Sequence, residues 1–402
     1  MRALLSTIGS RGDVQPVVAL AVRLRELGHQ ARIAAPPDYR EWIESLGFPF
    51  FPVGPELRPQ VKAEPEVRPA PPTAEQRRKM IAATVASQFE ALPEAAADCE
   101  VIVAWSALQI AARSVAEHRG IRYVYIAYGP TTLPSPHHGP APFDSLGQHP
   151  SAEGADFRAL WAENAEFVNQ LWREPLNIHR ARLGLPSVTE VRDHMFTDSP
   201  WLAADPVLAP WPEPSELKVV QTGAWTMADD RPLSAEVEEF LAAGEPPVFF
   251  GFGSMAAPPE LGHALLKAAR ALGRRAVISR GWADLALTGE PDCLTVDEVN
   301  YQALFPRLAA VVHHGGSGTT TAVTQAGTPQ VIVPQMYDQH YFAERVQALG
   351  VGFAHARGVP TTDSLIEALT QVLRPEVAAR AKEVAGQVRT DGTLVAARLL
   401  IG

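Results

Sequence analysis

The chain has 402 residues, more than the roughly 250–300 at which a single hydrophobic core stops growing, so two domains are expected. With 46% hydrophobic and 20% charged residues and a net charge of −10, it has the apolar content for large cores. It lacks the clustered Lys and Arg with which a general nucleic-acid binder neutralises phosphate. Cys99 and Cys293 lie in different halves with no CxxC or Cys/His spacing, and no apolar run approaches a membrane span; this excludes a disulfide framework and a cysteine metal site, and a cytoplasmic protein is expected.

Residues 2–8 read as a short buried strand ending in the glycine-punctuated turn GSRGD. A helix follows, with Val17, Leu20, Ala21, Leu24 and Leu27 at helical spacing until Gly28 stops it. After a strand at 32–35, Asp38 and Glu41 have the spacing of a capping box opening a helix with Trp42, Ile43 and Leu46 inward, and 48–53 reads as a third strand. This βαβαβ order opens a doubly wound parallel sheet. Seven prolines between 52 and 74 leave no regular element there and point to a binding loop or lid.

Helix 74–97, strand 101–105, helix 106–119 and strand 122–127 resume the alternation. The irregular stretch 128–150 carries six prolines with His137, His138 and His149, and no acidic residues accompany them in a metal-ligand pattern. Residues 156–184 read as helix, and Pro206, Pro210, Pro212 and Pro214 as a stiff extended connector. From 247 the alternation restarts: strand, turn at Gly253 and Ser254, helix 259–272, strands at 275–280 and 294–299, short helix 301–305, strand 308–312, helix from Ser317, strand 331–334, then helices. The expected architecture is α/β, two Rossmann-like doubly wound sheets facing a cleft. The expected division is 1–205, a linker at 206–222, 223–385, and a C-terminal helix within 386–402.

The stretch VVHHGGSGTTT at 311–321 is strand, glycine-rich turn and helix start. Glycines let backbone approach a ligand, and the free N–H groups of a helix N-terminus favour an anion, most often phosphate. Neither glycine turn spells GxGxxG, and no acidic residue closes the next strand, which argues against a dinucleotide-dependent oxidoreductase.

GSRGDVQP, TDSPWLAADPVLAP, QTGAW, GFGS, SRGWADL, DEVNYQALF, HHGGSGTT, PQMYDQHYFAERVQALGVG and TDGTLVAARLL together resemble the bacterial natural-product glycosyltransferases of GT-B fold. Within these, the likeness is to enzymes that decorate glycopeptide antibiotics of the vancomycin and teicoplanin type. It covers nearly the whole chain and is weakest at 55–75 and 128–175, where acceptor loops vary. The resemblance implies inverting transfer from a nucleotide diphosphate sugar, commonly TDP-linked, to a hydroxyl of a glycopeptide-type aglycone, with no metal or cofactor and no nucleic-acid or membrane partner. The N-terminal domain would hold the acceptor and the C-terminal domain the donor, with the last helix crossing back to the first. Oligomeric state has no signature in the sequence.

Carried onto this chain, the resemblance puts the donor diphosphate at His314, Gly315, Gly316, Ser317, Gly318 and Thr319, with His313 beside them and Ser254, Ser10 and Arg11 as further contacts. It puts the nucleobase near Val299 and Asn300, with Trp282 as a wall, and the sugar at Asp338 and Gln339. The catalytic base falls on Asp13, since inverting displacement needs a base on the nucleophile's side. Core packing for His313 and plain helix capping for Asp13, Ser254 and Asp338 stay open at this point. So do sterol, macrolide or other polyketide acceptors, a sugar-nucleotide epimerase, and a noncatalytic sugar-nucleotide-binding helper.

Overall fold

The structure is a computed structural model and describes residues 1–58, 73–141, 156–258, 260–287 and 289–402. The proline-rich stretch 59–72 and residues 142–155, with His149, lie outside the described residues. Two parallel sheets organise the chain. The first has the order β3-β2-β1-β4-β5-β6-β7, from β1 (Arg2–Thr7), β2 (Gln30–Ala35), β3 (Phe50–Pro52), β4 (Val101–Trp105), β5 (Arg122–Ala127), β6 (Trp201–Leu202) and β7 (Val220–Gln221). The second has the order β10-β9-β8-β11-β12-β13, from β8 (Val248–Gly251), β9 (Ala276–Ser279), β10 (Cys293–Val296), β11 (Ala310–His313), β12 (Gln330–Ile332) and β13 (Gly352–Ala354).

The central strands are apolar on both faces because helices cover both sides, as parallel sheets require. Leu4, Leu5, Ile102 and Val103 are fully buried in the first sheet, as are Val248, Phe250, Val311 and Val312 in the second. The strand order reverses between β1 and β4, and again between β8 and β11, so each sheet opens a crevice at those strand ends. Thr7 pairs with Trp105, and Gly251 with His313, so the turns that follow sit side by side in each half.

Several local expectations change. Asp38 does not cap a helix; its carboxylate accepts the Leu57 and Arg58 N–H groups, both at 2.9 Å, and pins the start of the proline-rich loop. The helix expected at 106–119 starts later, at Ala112–Arg119. The backbone of 108–111 is held instead by buried Gln88, which donates to the Leu108 carbonyl and accepts from the Ala111 N–H. The proline stretch after 205 is not a free linker. It loops out and returns as β7, hydrogen-bonded to β6, so the first sheet runs to Gln221.

The halves are closed on each other. One apolar cluster mixes Tyr125 and Leu202 of the first sheet with Ile332, Phe342 and Val384 of the second half. The last helix, Gly392–Ile401, packs back on the first helix, Arg11–Glu26, with Ala396, Ala397 and Leu400 in the first core. The chain beside its two crossings runs glycine on glycine. A Cβ on Gly392 would lie 2.3 Å from the Ala224 carbonyl oxygen, and one on Gly223 would lie 3.3 Å from the Gly392 Cα.

Candidate active site

Asp13 occupies the third position of the first helix, and Ser10 is its N-cap. The Ser10 N–H donates to Asp13 Oδ2 at 2.7 Å, the Ser10 hydroxyl lies 3.2 Å from the same oxygen, and the Trp105 indole N–H donates to Oδ1 at 2.7 Å. The carboxyl lies directly over Gly9, where a Cβ would come within 2.2 Å of Oδ2. Burial raises the Asp13 pKa above the usual carboxylate value, against the lowering effect of the Trp105 and Ser10 hydrogen bonds. Ser10 therefore serves the carboxylate and is not aimed at a phosphate. Asp13 thus both closes the capping box of the first helix and presents a buried carboxyl.

In the second half, β11 leads into the helix Ser317–Gln325, with Gly316 at its N-cap. The first bond inside the helix runs from the Thr320 N–H to the Gly316 carbonyl at 3.0 Å. The N–H groups of Ser317, Gly318 and Thr319 therefore have no partner within the helix and carry the positive end of its dipole. The His314 ring lies between two glycine turns: a Cβ on Gly316 would be 2.7 Å from Nε2, and one on Gly253 would be 3.3 Å from Cε1. Ser254 follows Gly253 in the turn after β8. Burial lowers the His314 pKa to about 4, while the Gly251 backbone pulls it upward, so the imidazole is neutral near pH 7 and has one N–H to donate.

His313 and Gly315 differ from expectation. His313 is fully buried; its Nε2 pairs with Gln330 Oε1 at 2.9 Å, and its Nδ1 accepts the Gly315 N–H at 3.1 Å. That pattern fixes a neutral tautomer with the proton on Nε2, and burial lowers the pKa to about 3. Neither the His313 ring nor the Gly315 N–H is free for a phosphate; both brace the turn. Gly315 has φ +94°, and a Cβ there would sit 2.5 Å from Ile332 Cγ2, so only glycine fits.

Arg11 also leaves its expected place. Its guanidinium lies 3.9 Å from the Trp42 ring centroid and pairs with Glu298 of the second half at 3.0 Å, so it clasps the two halves together. Asn300 is buried, with its amide donating to the Asp229 and Arg231 carbonyls at 2.7 Å and its oxygen accepting the Ala303 N–H. Its side chain anchors the crossing segment and caps a helix, and the neighbouring Val299 is half-buried. The Trp282 N–H bonds to the Gly253 carbonyl at 2.9 Å while its ring packs against the core of the first half.

Asp338 and Gln339 separate in role. Gln339 Oε1 accepts the Gln335 and Met336 N–H groups, at 2.8 and 3.1 Å, and so holds its own loop. Asp338 makes no side-chain cap bond to the helix Gln339–Ala348. Its Oδ2 would stand 3.3 Å from a Cβ on Gly129 of the first half. Burial first and the Asp13 charge second raise its pKa to about 7. A carboxyl with a folded pKa above its unfolded value binds extra protons in the folded state between those values, so it favours folding at low pH. We expect the Asp338→Asn variant to gain stability relative to the parent as pH rises from about 4 through 7, with denaturant midpoints across that range as the measurement.

Two residues that the sequence did not single out complete the site. Trp105 ends β4, and Tyr128 follows β5; their rings lie 4.4 Å apart between centroids. Ser317 Oγ donates to the Tyr128 carbonyl at 3.1 Å, and the Tyr128 hydroxyl donates to the Asp13 carbonyl at 3.3 Å, so Tyr128 joins the two sides of the cleft. An aromatic residue at the end of a strand beside the first turn was the available signal. Among the described residues no group of three His, Cys, Asp or Glu side chains has the arrangement of a metal site.

Comparison with known proteins agrees with this geometry. Residues 3–135 match the glycosyltransferase family 28 N-terminal domain, and residues 276–394 the erythromycin biosynthesis protein CIII-like, C-terminal domain. The chain is 48% identical to a vancomycin aglycone glucosyltransferase of Amycolatopsis orientalis, over 100% of this chain and 97% of that protein. It is 46% identical to a dTDP-epi-vancosaminyltransferase of the same organism, over 96% and 93%. The fold matches the Streptomyces sp. SF2575 glycosyltransferase SsfS6, solved with thymidine diphosphate, with TM-score 0.65, 20% identity and coverage of 100% and 99%. The two parallel sheets, the cleft and these relatives together establish that the chain belongs to the GT-B natural-product glycosyltransferases, in the branch that contains the vancomycin-type enzymes.

Proposed function

We propose that this enzyme transfers a deoxy or amino sugar, with inversion, from a TDP-sugar to a hydroxyl of a glycopeptide aglycone or its glycosylated precursor. The observation that carries the reading is the opposition of Asp13 and the His314 turn across one cleft, bridged by the Ser317–Tyr128 hydrogen bond of 3.1 Å. The first half receives the acceptor and the second half the donor. As the acceptor oxygen bonds to the anomeric carbon, the bond from that carbon to the phosphate oxygen breaks and the acceptor proton passes to Asp13. An ordinary Asp near 3.9 and a phenol near 10 differ by about six units, or about 8 kcal/mol, so the proton moves late, once the oxygen has become acidic. Burial of Asp13 narrows that gap.

The departing diphosphate receives hydrogen bonds from His314 and from the N–H groups of Ser317, Gly318 and Thr319, with Ser254 alongside; these supply the charge stabilisation in a metal-independent reaction. With its pKa raised to about 7, Asp338 can donate in its protonated form as well as accept at a sugar hydroxyl or amine. Backbone at Val299 and the Trp282 ring wall the nucleobase. Mass spectrometry of products from a panel of glycopeptide aglycones with several TDP-sugars tests the reading. A glycosylated aglycone, with TDP released only when aglycone is present, is the expected result. Transfer to a sterol or macrolide alone would overturn the acceptor class, and binding without turnover would identify a helper protein.

A further inference from the structure

We propose that Trp105 is a positioning residue for Asp13, and that it leaves Oδ1 as the oxygen that meets the acceptor hydroxyl. The inference rests on reading Asp13 as the base. An ionised carboxylate offers about four acceptor sites. Ser10 occupies those of Oδ2 with its N–H at 2.7 Å and its hydroxyl at 3.2 Å, and the Trp105 indole N–H occupies one on Oδ1 at 2.7 Å. The remaining site is on Oδ1. An indole N–H donates only, so Trp105 cannot carry the proton onward. It stabilises the ionised form and stops the carboxylate from rotating.

Trp105 itself is held from several sides. Its backbone pairs with Thr7 of β1 and Ile126 of β5, and its ring packs on Tyr128 at 4.4 Å between centroids. The next residue, Ser106, takes φ +109°, where a side chain is strained, so the chain leaves β4 through an unusual bend at the residue after Trp105. Since the Tyr128 carbonyl accepts the Ser317 hydroxyl, the same aromatic pair connects the turn at the donor side with the carboxylate at the acceptor side. The other ionisable groups that face Asp13 are Asp338 across the cleft and the phenols of Tyr39 and Tyr128.

The test compares single-turnover rates against pH for the parent, Trp105→Phe, Asp13→Asn and the double variant, with acceptor affinity measured alongside. Phe keeps an aromatic ring and removes the donor. Loss of a hydrogen bond to the ionised form raises the Asp13 pKa, so the acidic limb of the Trp105→Phe profile is expected about one pH unit higher, with the plateau rate about tenfold lower. Acceptor affinity should stay within about twofold, and Trp105→Phe should cost nothing further in the Asp13→Asn background. Unchanged plateau and limb in a folded Trp105→Phe enzyme, with Asp13→Asn inactive, would reduce Trp105 to packing. A near-parental Asp13→Asn would instead remove Asp13 as base. Benzothienylalanine at 105 replaces N–H by sulfur at nearly constant shape and gives the same readout if Phe perturbs folding.

Discussion

Asp13→Asn is expected to lower turnover at least a hundredfold while donor binding stays within about twofold. Asn matches Asp in shape and keeps an oxygen that can accept the Ser10 bonds, so the first helix retains its cap. The second oxygen becomes an NH₂ group facing the Trp105 indole, so donor meets donor and no basic lone pair is left for the acceptor proton. The donor turn lies in the other half, and Tyr128 links it to the Asp13 backbone carbonyl, which the substitution leaves in place. Initial rates with saturating aglycone, together with calorimetric titration of TDP, separate the two effects. A near-parental rate would move the base elsewhere.

His314→Ala is expected to weaken TDP binding and to reduce turnover by about a hundredfold or more, the scale observed when one donor to a developing oxyanion is removed. The imidazole stands between the Gly253 and Gly316 turns, so no neighbouring side chain can replace it without a backbone shift. Because it is neutral near pH 7, the loss is that of a directed hydrogen bond, and it should persist across the range from pH 6 to 8 in which a histidine of ordinary pKa, about 6.5, would change its charge. Titration of TDP into parent and variant, paired with rates at saturating donor, measures both losses. Retention of both affinity and rate would remove His314 from the donor site.

The fold was legible because strand and helix alternate with clear periods and because glycine turns fall at strand ends. The two-residue strand β7 was not, since proline-rich sequence looks the same in a linker and in a loop that returns to a sheet. At the site, Asp13 followed from the family resemblance, and the 314–319 turn from glycines lying between a strand and a helix start. His313, Asn300 and Gln339 were harder. Polar side chains next to a binding turn read alike whether they face ligand or backbone, and the His313 partner Gln330 lies 17 residues on while Asn300 reaches back 71 residues to Asp229. Arg11 was misplaced for the same reason, as Glu298 is 287 residues away. Trp105 looked like one more core aromatic at the end of an apolar strand.

The glycine-on-glycine passage at 223 and 392 has a mechanical consequence. Both covalent crossings run close to one point, so a rotation of one half about that point strains neither of them, and the arc that any part of the cleft sweeps grows with its distance from the pivot. The joint is backbone against backbone, with no side chains at those two positions to interlock. Among the described residues, resistance to opening therefore comes from the shared apolar cluster and from polar clasps that include Ser317 on Tyr128, Arg11 on Glu298 and Arg345 on the Val207 and Leu208 carbonyls. One of those clasps is made by the first residue of the helix expected to hold the leaving group, so the force that keeps the jaws shut is applied where the nucleotide departs.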